Sequence, residues 1–207
     1  KAKSLTDIMT RSGDCKYRFG LTGTLDGTQT HRLVLEGLFG KVTQVTTTKE
    51  LMDNKTLAKL NIDCIVLKHT DEECKRVRKY TYAEELNYIV SHTKRNKFIE
   101  NLCKTIKGNT LVLFQLVDKH GVLLYNELKK LDKKVFFVYG GTTTETREKI
   151  RGIVEKEKDS LIIASYGTFS TGINIRNINN VVFASPSKSR VRVLQSIGRG
   201  LRQSKTK

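Results

Sequence analysis

Hydrophobic and polar positions along the second half of the chain alternate between two rhythms. Thr110-Leu111-Val112-Leu113-Phe114 and Leu161-Ile162-Ile163-Ala164 are unbroken apolar runs. They are too short for helices and have the composition of strands buried on both faces. Lys134 to Val138 and Val181 to Ala184 read as two more strands. Between and after them, Lys119 to Leu131, Thr144 to Glu157 and Ser189 to Gln203 carry apolar residues at helical spacing. Strands alternating with helices of this length predict an α/β fold, a parallel sheet with helices on both faces.

The first half is less regular. Helices are expected over Ser4 to Arg11, Thr30 to Leu38, Tyr82 to His92 and Arg95 to Ile106, the last ended by Gly108-Asn109. Lys49 to Asp53 fits a helical turn or two. Tyr17 to Leu21 reads as a short strand, Lys41 to Thr46 as extended, and the Ile- and Val-rich stretch Asn61 to Leu67 as a buried strand. Lys68 to Lys79 mixes charges without an apolar period and reads as a solvated loop. This organisation divides the chain into residues 1–55, the end of one α/β domain, and residues 56–207, a second and nearly complete one.

Composition narrows the class. With 38% hydrophobic residues and one proline among 207 residues, the chain can build a core and is not a disordered tail. A formal net charge of +17, from 38 Lys+Arg against 21 Asp+Glu, points to a polyanionic partner, with nucleic acid as the default. The gaps between Cys15, Cys64, Cys74 and Cys103 fit no metal pattern, so the four are expected as reduced thiols of a cytoplasmic protein. His31, His69, His92 and His120 are scattered along the chain and indicate no metal site. No apolar run reaches membrane-spanning length and no signal peptide opens the sequence.

Candidate chemistry gathers where strands end. Gln195-Ser196-Ile197-Gly198-Arg199-Gly200-Leu201-Arg202 places two arginines three residues apart. On a helix they share a face, and two guanidinium forks make a clamp for a phosphate. Ser165 to Ile175 follows a strand and is rich in hydroxyls and glycines, as a phosphate-holding loop or a plain connection would be. Tyr139-Gly140-Gly141-Thr142-Thr143-Thr144 fits an anion-binding helix start and an ordinary turn and cap equally well. Neither a Gly-x-x-x-x-Gly-Lys-Ser/Thr phosphate loop nor a dinucleotide fingerprint occurs. The second absence argues against a small-molecule enzyme on a doubly wound sheet. It leaves open a basic α/β module that binds nucleic acid without catalysis of its own.

Taken together, these motifs resemble the C-terminal half of superfamily 2 helicases. Gln195, Gly198, Arg199 and Arg202 fit the motif VI pattern Gln-x-x-Gly-Arg-x-x-Arg. Thr171-Gly172-Ile173-Asn174-Ile175 is similar to motif V, with Asn174 where Asp is usual. Leu111 to Gln115 resembles motif IV. Leu21-Thr22-Gly23-Thr24 resembles motif III, and Leu38-Phe39-Gly40 recurs in the branch acting on DNA duplexes. The whole string is similar to recombination-repair DNA helicases of bacteriophages.

The resemblance implies a RecA-like second lobe preceded by the tail of a first lobe, within an ATP-dependent helicase that remodels branched DNA at forks and recombination intermediates. Arg199 and Arg202 would be arginine fingers. Gly172, Asn174, Gln195 and Gly198 would meet the nucleotide. Gln115, Ser165, Thr168, Arg190 and Arg192 would contact DNA, and Thr22, Gly23 and Thr24 would couple the two functions. ATP and Mg²⁺ would be held mainly by first-lobe motifs that lie upstream in the family and are absent from this chain. That absence makes the chain a piece of a longer protein, inactive alone. The protein would act as a monomer on DNA, in the host cytoplasm if it comes from a phage.

Overall fold

A computed structural model describes residues 3–25, 29–168 and 175–202, with the side chains of residues 29–31 left aside. Its centre is a four-stranded, all-parallel sheet in the order β2-β3-β1-β4. The strands are β1 (Thr110–Phe114), β2 (Lys134–Val138), β3 (Ser160–Ser165) and β4 (Asn180–Phe183). β1 pairs with β3 from Thr110↔Leu161 to Phe114↔Ser165, and with β4 from Thr110↔Asn180 to Leu113↔Phe183. The two unbroken apolar runs are the two central strands. Every residue of β1 is buried, whereas edge strands β2 and β4 are mostly half-buried. This is the burial that a parallel sheet covered on both faces requires.

Helices in chain order are α1 (Lys3–Arg11), α2 (Gln29–Phe39), α3 (Thr48–Asp53), α4 (Asp71–Val77), α5 (Tyr82–Ser91), α6 (Thr93–Thr105), α7 (Val122–Leu128), α8 (Thr144–Val154) and α9 (Arg190–Gly200). Alternation along β1 splits the core in two. Leu111 and Leu113 pack with Ile150 and Val154 of α8, while Val112 and Phe114 pack with Ile99 and Cys103 of α6 and Leu124 and Leu128 of α7. Cys103 is fully buried and its thiol is pushed up to about 11 by desolvation; Cys15, Cys64 and Cys74 are exposed, and none of the four is in a disulfide.

Several expectations for the first half are corrected. Residues 17–21 and 61–67 form no strand, and no described residue before Leu86 is buried. Phe19, Leu21 and Val66 are 84%, 97% and 81% exposed. A strand needs a ladder partner and an apolar face to cover; among the described residues these stretches have neither. The expected loop from Lys68 to Lys79 instead contains α4. Thr70 caps it and Glu73 returns the bond to the Thr70 backbone, a local capping box that outweighs the missing apolar period.

A π-helical turn, Val117–Gly121, opens α7 and brings buried His120 inward. Gly121 closes that turn against the core. A Cβ there would lie 2.5 Å from the Phe114 ring, which is fully buried and cannot swing away. Gly121→Ala is therefore expected to cost about 1–3 kcal/mol in chemical denaturation. An unchanged midpoint would show that Phe114 repacks without penalty.

At the opposite, N-terminal edge of the sheet sits Asn109, fully buried. Its two amide hydrogens are shared among the carbonyls of Val154 (3.2 Å), Glu157 (2.8 Å) and Asn177 (2.9 Å). Its oxygen accepts from the Ser160 N–H (3.0 Å) and hydroxyl (2.8 Å). One side chain thus joins α8, β3 and the approach to β4.

Candidate functional site

Because all four strands run in one direction, their C-terminal ends share one edge. Gln115 leaves β1, the Tyr139–Thr143 turn leaves β2, Ser165 ends β3, and Ala184–Ser189 leads from β4 into α9. In open α/β sheets this edge is where ligands bind.

Ser189 caps α9 by accepting from the Arg192 N–H at 3.3 Å. Ser196 is fully buried and donates to the Arg192 carbonyl at 2.9 Å, while Gln195 and Gly198 on the same helix are exposed. The two glycines near its end differ in kind. A Cβ on Gly200 would lie 3.0 Å from Val181 of β4, so Gly200 lets the helix approach the sheet; a Cβ on Gly198 would meet nothing within 4 Å.

Arg199 lies in the last turn of α9. Arg202, expected on the same helix, lies just beyond its C-cap Leu201. It is held instead by an antiparallel bridge to Leu57, reinforced by the Ala58 N–H donating to the Leu201 carbonyl at 2.8 Å. Ladder bonding to this incoming segment ends the helix early and presents Arg202 from a strand-like position. Partial burial, and then the like charge of Arg202, pull the Arg199 pKa below its ordinary value, so the two charges still act on each other. A multiply charged anion would relieve that repulsion.

The other expected site residues divide. Arg190 is exposed and Arg192 half-buried. Arg192 and Arg95 lie near enough to Tyr166 to oppose the burial that pushes its phenol up to about 12. The Ser165 and Thr168 hydroxyls bond each other at 2.8 Å, and Thr168 is only 5% exposed. Gln115 is half-buried, its backbone N–H donates to the Ser185 hydroxyl at 3.1 Å, and its Oε1 is buried without a partner. Thr22 and Thr24 close a local turn, the Thr24 N–H donating to the Thr22 hydroxyl at 3.2 Å, and Gly23 faces open space. Gly172 and Asn174 lie outside the described residues. In the Gly140 turn, Thr143 caps α8 and Arg147 bonds the Tyr139 and Gly140 carbonyls, both at 3.3 Å, which is the ordinary turn-and-cap arrangement.

Two of the scattered histidines meet. His69 Nδ1 and His92 Nε2 lie 3.6 and 3.7 Å from the Glu73 carboxylate, whose pKa is held down to about 2 by the Thr70 backbone N–H and, more weakly, by the two imidazoles. His92 Nδ1 accepts the Arg95 N–H at 3.2 Å, which leaves the imidazole proton on Nε2. That nitrogen faces Glu73 as a donor, where a metal ligand needs a lone pair. The cluster is an electrostatic contact that links α4 to His92, the N-cap of α6.

A buried polar network behind the sheet edge had no signal in the sequence. It centres on Ser185, His120, Tyr166 and Arg95, residues whose spacing matches no motif.

Residues 93–204 match the helicase conserved C-terminal domain. The chain belongs to that family. This helicase C-terminal domain is 36% identical over 204 residues to the ATP-dependent DNA helicase uvsW of Enterobacteria phage T4, a match covering 97% of this chain and 40% of that protein. The crystal structure of T4 UvsW superposes at a TM-score of 0.62 with 35% identity, covering 99% of this chain and 40% of that one. A crystal structure of the C-terminal part of the Fun30 ATPase domain aligns at a TM-score of 0.49 with 20% identity, over 67% of this chain and 51% of that one. The helicase domain is thus an α/β, RecA-like lobe, and the chain spans about two fifths of the phage relative's length. No described helix is long and apolar enough to cross a membrane.

Proposed function

We propose that this chain is the arginine-finger portion of an ATP-dependent DNA helicase that remodels branched DNA in phage replication, repair and recombination. Residues 1–55 would be the tail of a first RecA-like lobe and residues 56–207 the second lobe. The observation that carries this reading is the Arg199–Arg202 pair, two arginines whose charges act on each other where α9 ends beside edge strand β4.

The pair fits the polyphosphate of ATP and does not fit Mg²⁺, which two guanidinium groups would repel. ATP supplies the transferable γ-phosphoryl group. Arg199 and Arg202 would neutralise the charge that builds on it, with Gln195 steadying them. Gly198 costs helix stability, about 1 kcal/mol relative to alanine, and nothing among the described residues needs its missing side chain. Its use is as room for a group from outside, the nucleotide or the first lobe. Gly172 and Asn174 keep their assignment to the nucleotide, and Thr22, Gly23 and Thr24 theirs to coupling.

DNA would run along the surface holding Arg190 and the Gln115 and Ser165 loop ends. Thr168 and Arg192 are less exposed and would act closer to the sheet. The protein would work as a monomer in the cytoplasm of the infected host.

The test uses the isolated chain beside the full-length protein. The isolated chain is expected to bind DNA with strong salt dependence and to hydrolyse ATP only at background. DNA-stimulated turnover by the isolated chain would reject the division of labour. In the full-length protein, Arg190→Ala should weaken DNA binding and lower the slope of log affinity against log salt by about one. An unchanged slope with reduced turnover would move Arg190 from DNA to the nucleotide.

A further inference from the structure

Behind the candidate site, the last residues before the Pro186 loop are fastened from every side. Ala184 and Ser185 both donate their backbone N–H to the Leu113 carbonyl of β1, at 2.9 and 3.2 Å. Arg95 of α6 donates to the Ala184 carbonyl at 2.5 Å, and Tyr166, just past β3, donates to the Ser185 carbonyl at 2.6 Å. The Ser185 hydroxyl meets the Gln115 N–H at 3.1 Å and His120 Nδ1 at 2.8 Å.

The direction of each hydrogen bond follows from one fixed point. The Val90 carbonyl can only accept, so Asn96 turns its Nδ2 to it at 2.8 Å. Asn96 Oδ1 then faces His120 Nε2 at 3.2 Å, which must carry the imidazole proton. His120 Nδ1 therefore holds a lone pair and accepts from the Ser185 hydroxyl, whose oxygen accepts from Gln115. The scheme needs a neutral imidazole. Burial, and then the Arg95 charge, hold the His120 pKa down to about 4, so it is neutral at ordinary pH.

The network is not closed. Among the described residues, Arg95 Nη1 and Gln115 Oε1 are buried with no partner. Unpaired buried polar atoms oppose folding, so a network built for stability alone would not keep them. Its location indicates another use. Ser185 lies on the only covalent path from β4 to α9, while Gln115 and Tyr166 belong to the loop ends beside it.

We infer that Ser185, fastened by Arg95, His120 and Tyr166, is a positioning residue that fixes the start of α9 beside the strand-end loops carrying Gln115 and Ser165, and through the helix sets the arginines at its far end. The inference rests on the arginine-finger reading above. It adds that engagement of those loops reaches the arginines through the Ser185 junction.

The experiment uses the full-length protein carrying Ser185→Ala, Tyr166→Phe or both; each single change removes one hydroxyl and little volume. The readouts are kcat and KM for ATP in DNA-stimulated hydrolysis, DNA affinity, and melting temperature. Each single variant is expected to lower kcat about tenfold with KM and DNA affinity within about twofold. The double variant should fall no further than the worse single one, because both act through one junction. Ser185→Thr, which keeps a hydroxyl, should restore most of kcat. An unchanged kcat, with or without a lower melting temperature, overturns the inference, as does a loss confined to DNA affinity. If Arg199→Ala abolishes hydrolysis while Ser185→Ala leaves kcat intact, the junction fails and the arginine assignment stands. If Arg199→Ala leaves hydrolysis intact, the assignment itself fails.

Discussion

Arg199→Ala, made in the full-length helicase, is expected to lower DNA-stimulated ATP hydrolysis by about 10³–10⁵-fold, the range seen for loss of an arginine finger. Arg202→Ala should fall in the same range. The effect is large because a guanidinium fork aimed at a transferring phosphoryl group acts where charge is spread over several oxygens at once. Arg199→Lys should rescue little, since an ammonium keeps the charge and loses the planar fork. Stability should hardly follow activity. Burial and the charge of Arg202 already work against the ionised Arg199, and alanine relieves both. Steady-state kinetics beside a melting curve and a DNA-binding isotherm decide the matter. Equal losses of hydrolysis and DNA affinity would make these arginines DNA contacts, and the chain a basic binding module.

Asn109→Asp should be the most damaging nearly isosteric change among the described residues, lowering stability by on the order of 3–5 kcal/mol. The substitution keeps the shape and inverts half of the chemistry. Two donors become an acceptor facing the carbonyls of Val154, Glu157 and Asn177, at a position fully removed from the surface. Burial and the facing carbonyls would raise the carboxyl's pKa and favour its protonated form, which recovers one donor at most. Asn109→Leu should be comparably harmful, because it removes the shared acceptor of both Ser160 donors and the amide that ties α8 to the approach to β4, although the Val154 and Glu157 carbonyls keep bonds from the Glu157 N–H and Asn177 Nδ2. Denaturant titration of the isolated chain is the measurement. A loss below about 1 kcal/mol would mean that neighbouring groups rearrange to satisfy one another.

The two rhythms of the second half were enough to find the sheet. β1 and β3 show as continuous apolar runs because both of their faces are covered, and the strand-end loops fall at one edge once the sheet is parallel. Motif residues on α9 were also legible, since Arg199 and Gly198 owe their placement to a local helix. Arg202 was not placed correctly, because its position depends on Leu57, far away in sequence. The same limit hid the Ser185 junction, whose members come from five separate segments. Asn109 looked like a helix terminator; its amide becomes a hub only after the chain brings α8 and β3 beside it. In the first half, Val- and Ile-rich stretches suggested strands, but local preference makes no strand where no ladder partner stands alongside. At α4 the reverse held, and a four-residue capping signal formed a helix that the apolar period did not announce.

The bridge between Leu57 and Arg202 places two points far apart in sequence side by side. The segment from Leu57 to Arg202, which contains the whole described sheet, is thus closed on itself at one spot. A unit closed in this manner can be lifted out, rejoined by a short linker between those two residues, and reopened elsewhere with its sheet undisturbed. The stitch also lies beside the arginine pair. A tug on the segment arriving at Leu57 from α3 is delivered to Arg202 directly, without passing through the core, so that stretch of backbone doubles as a lever on the arginine.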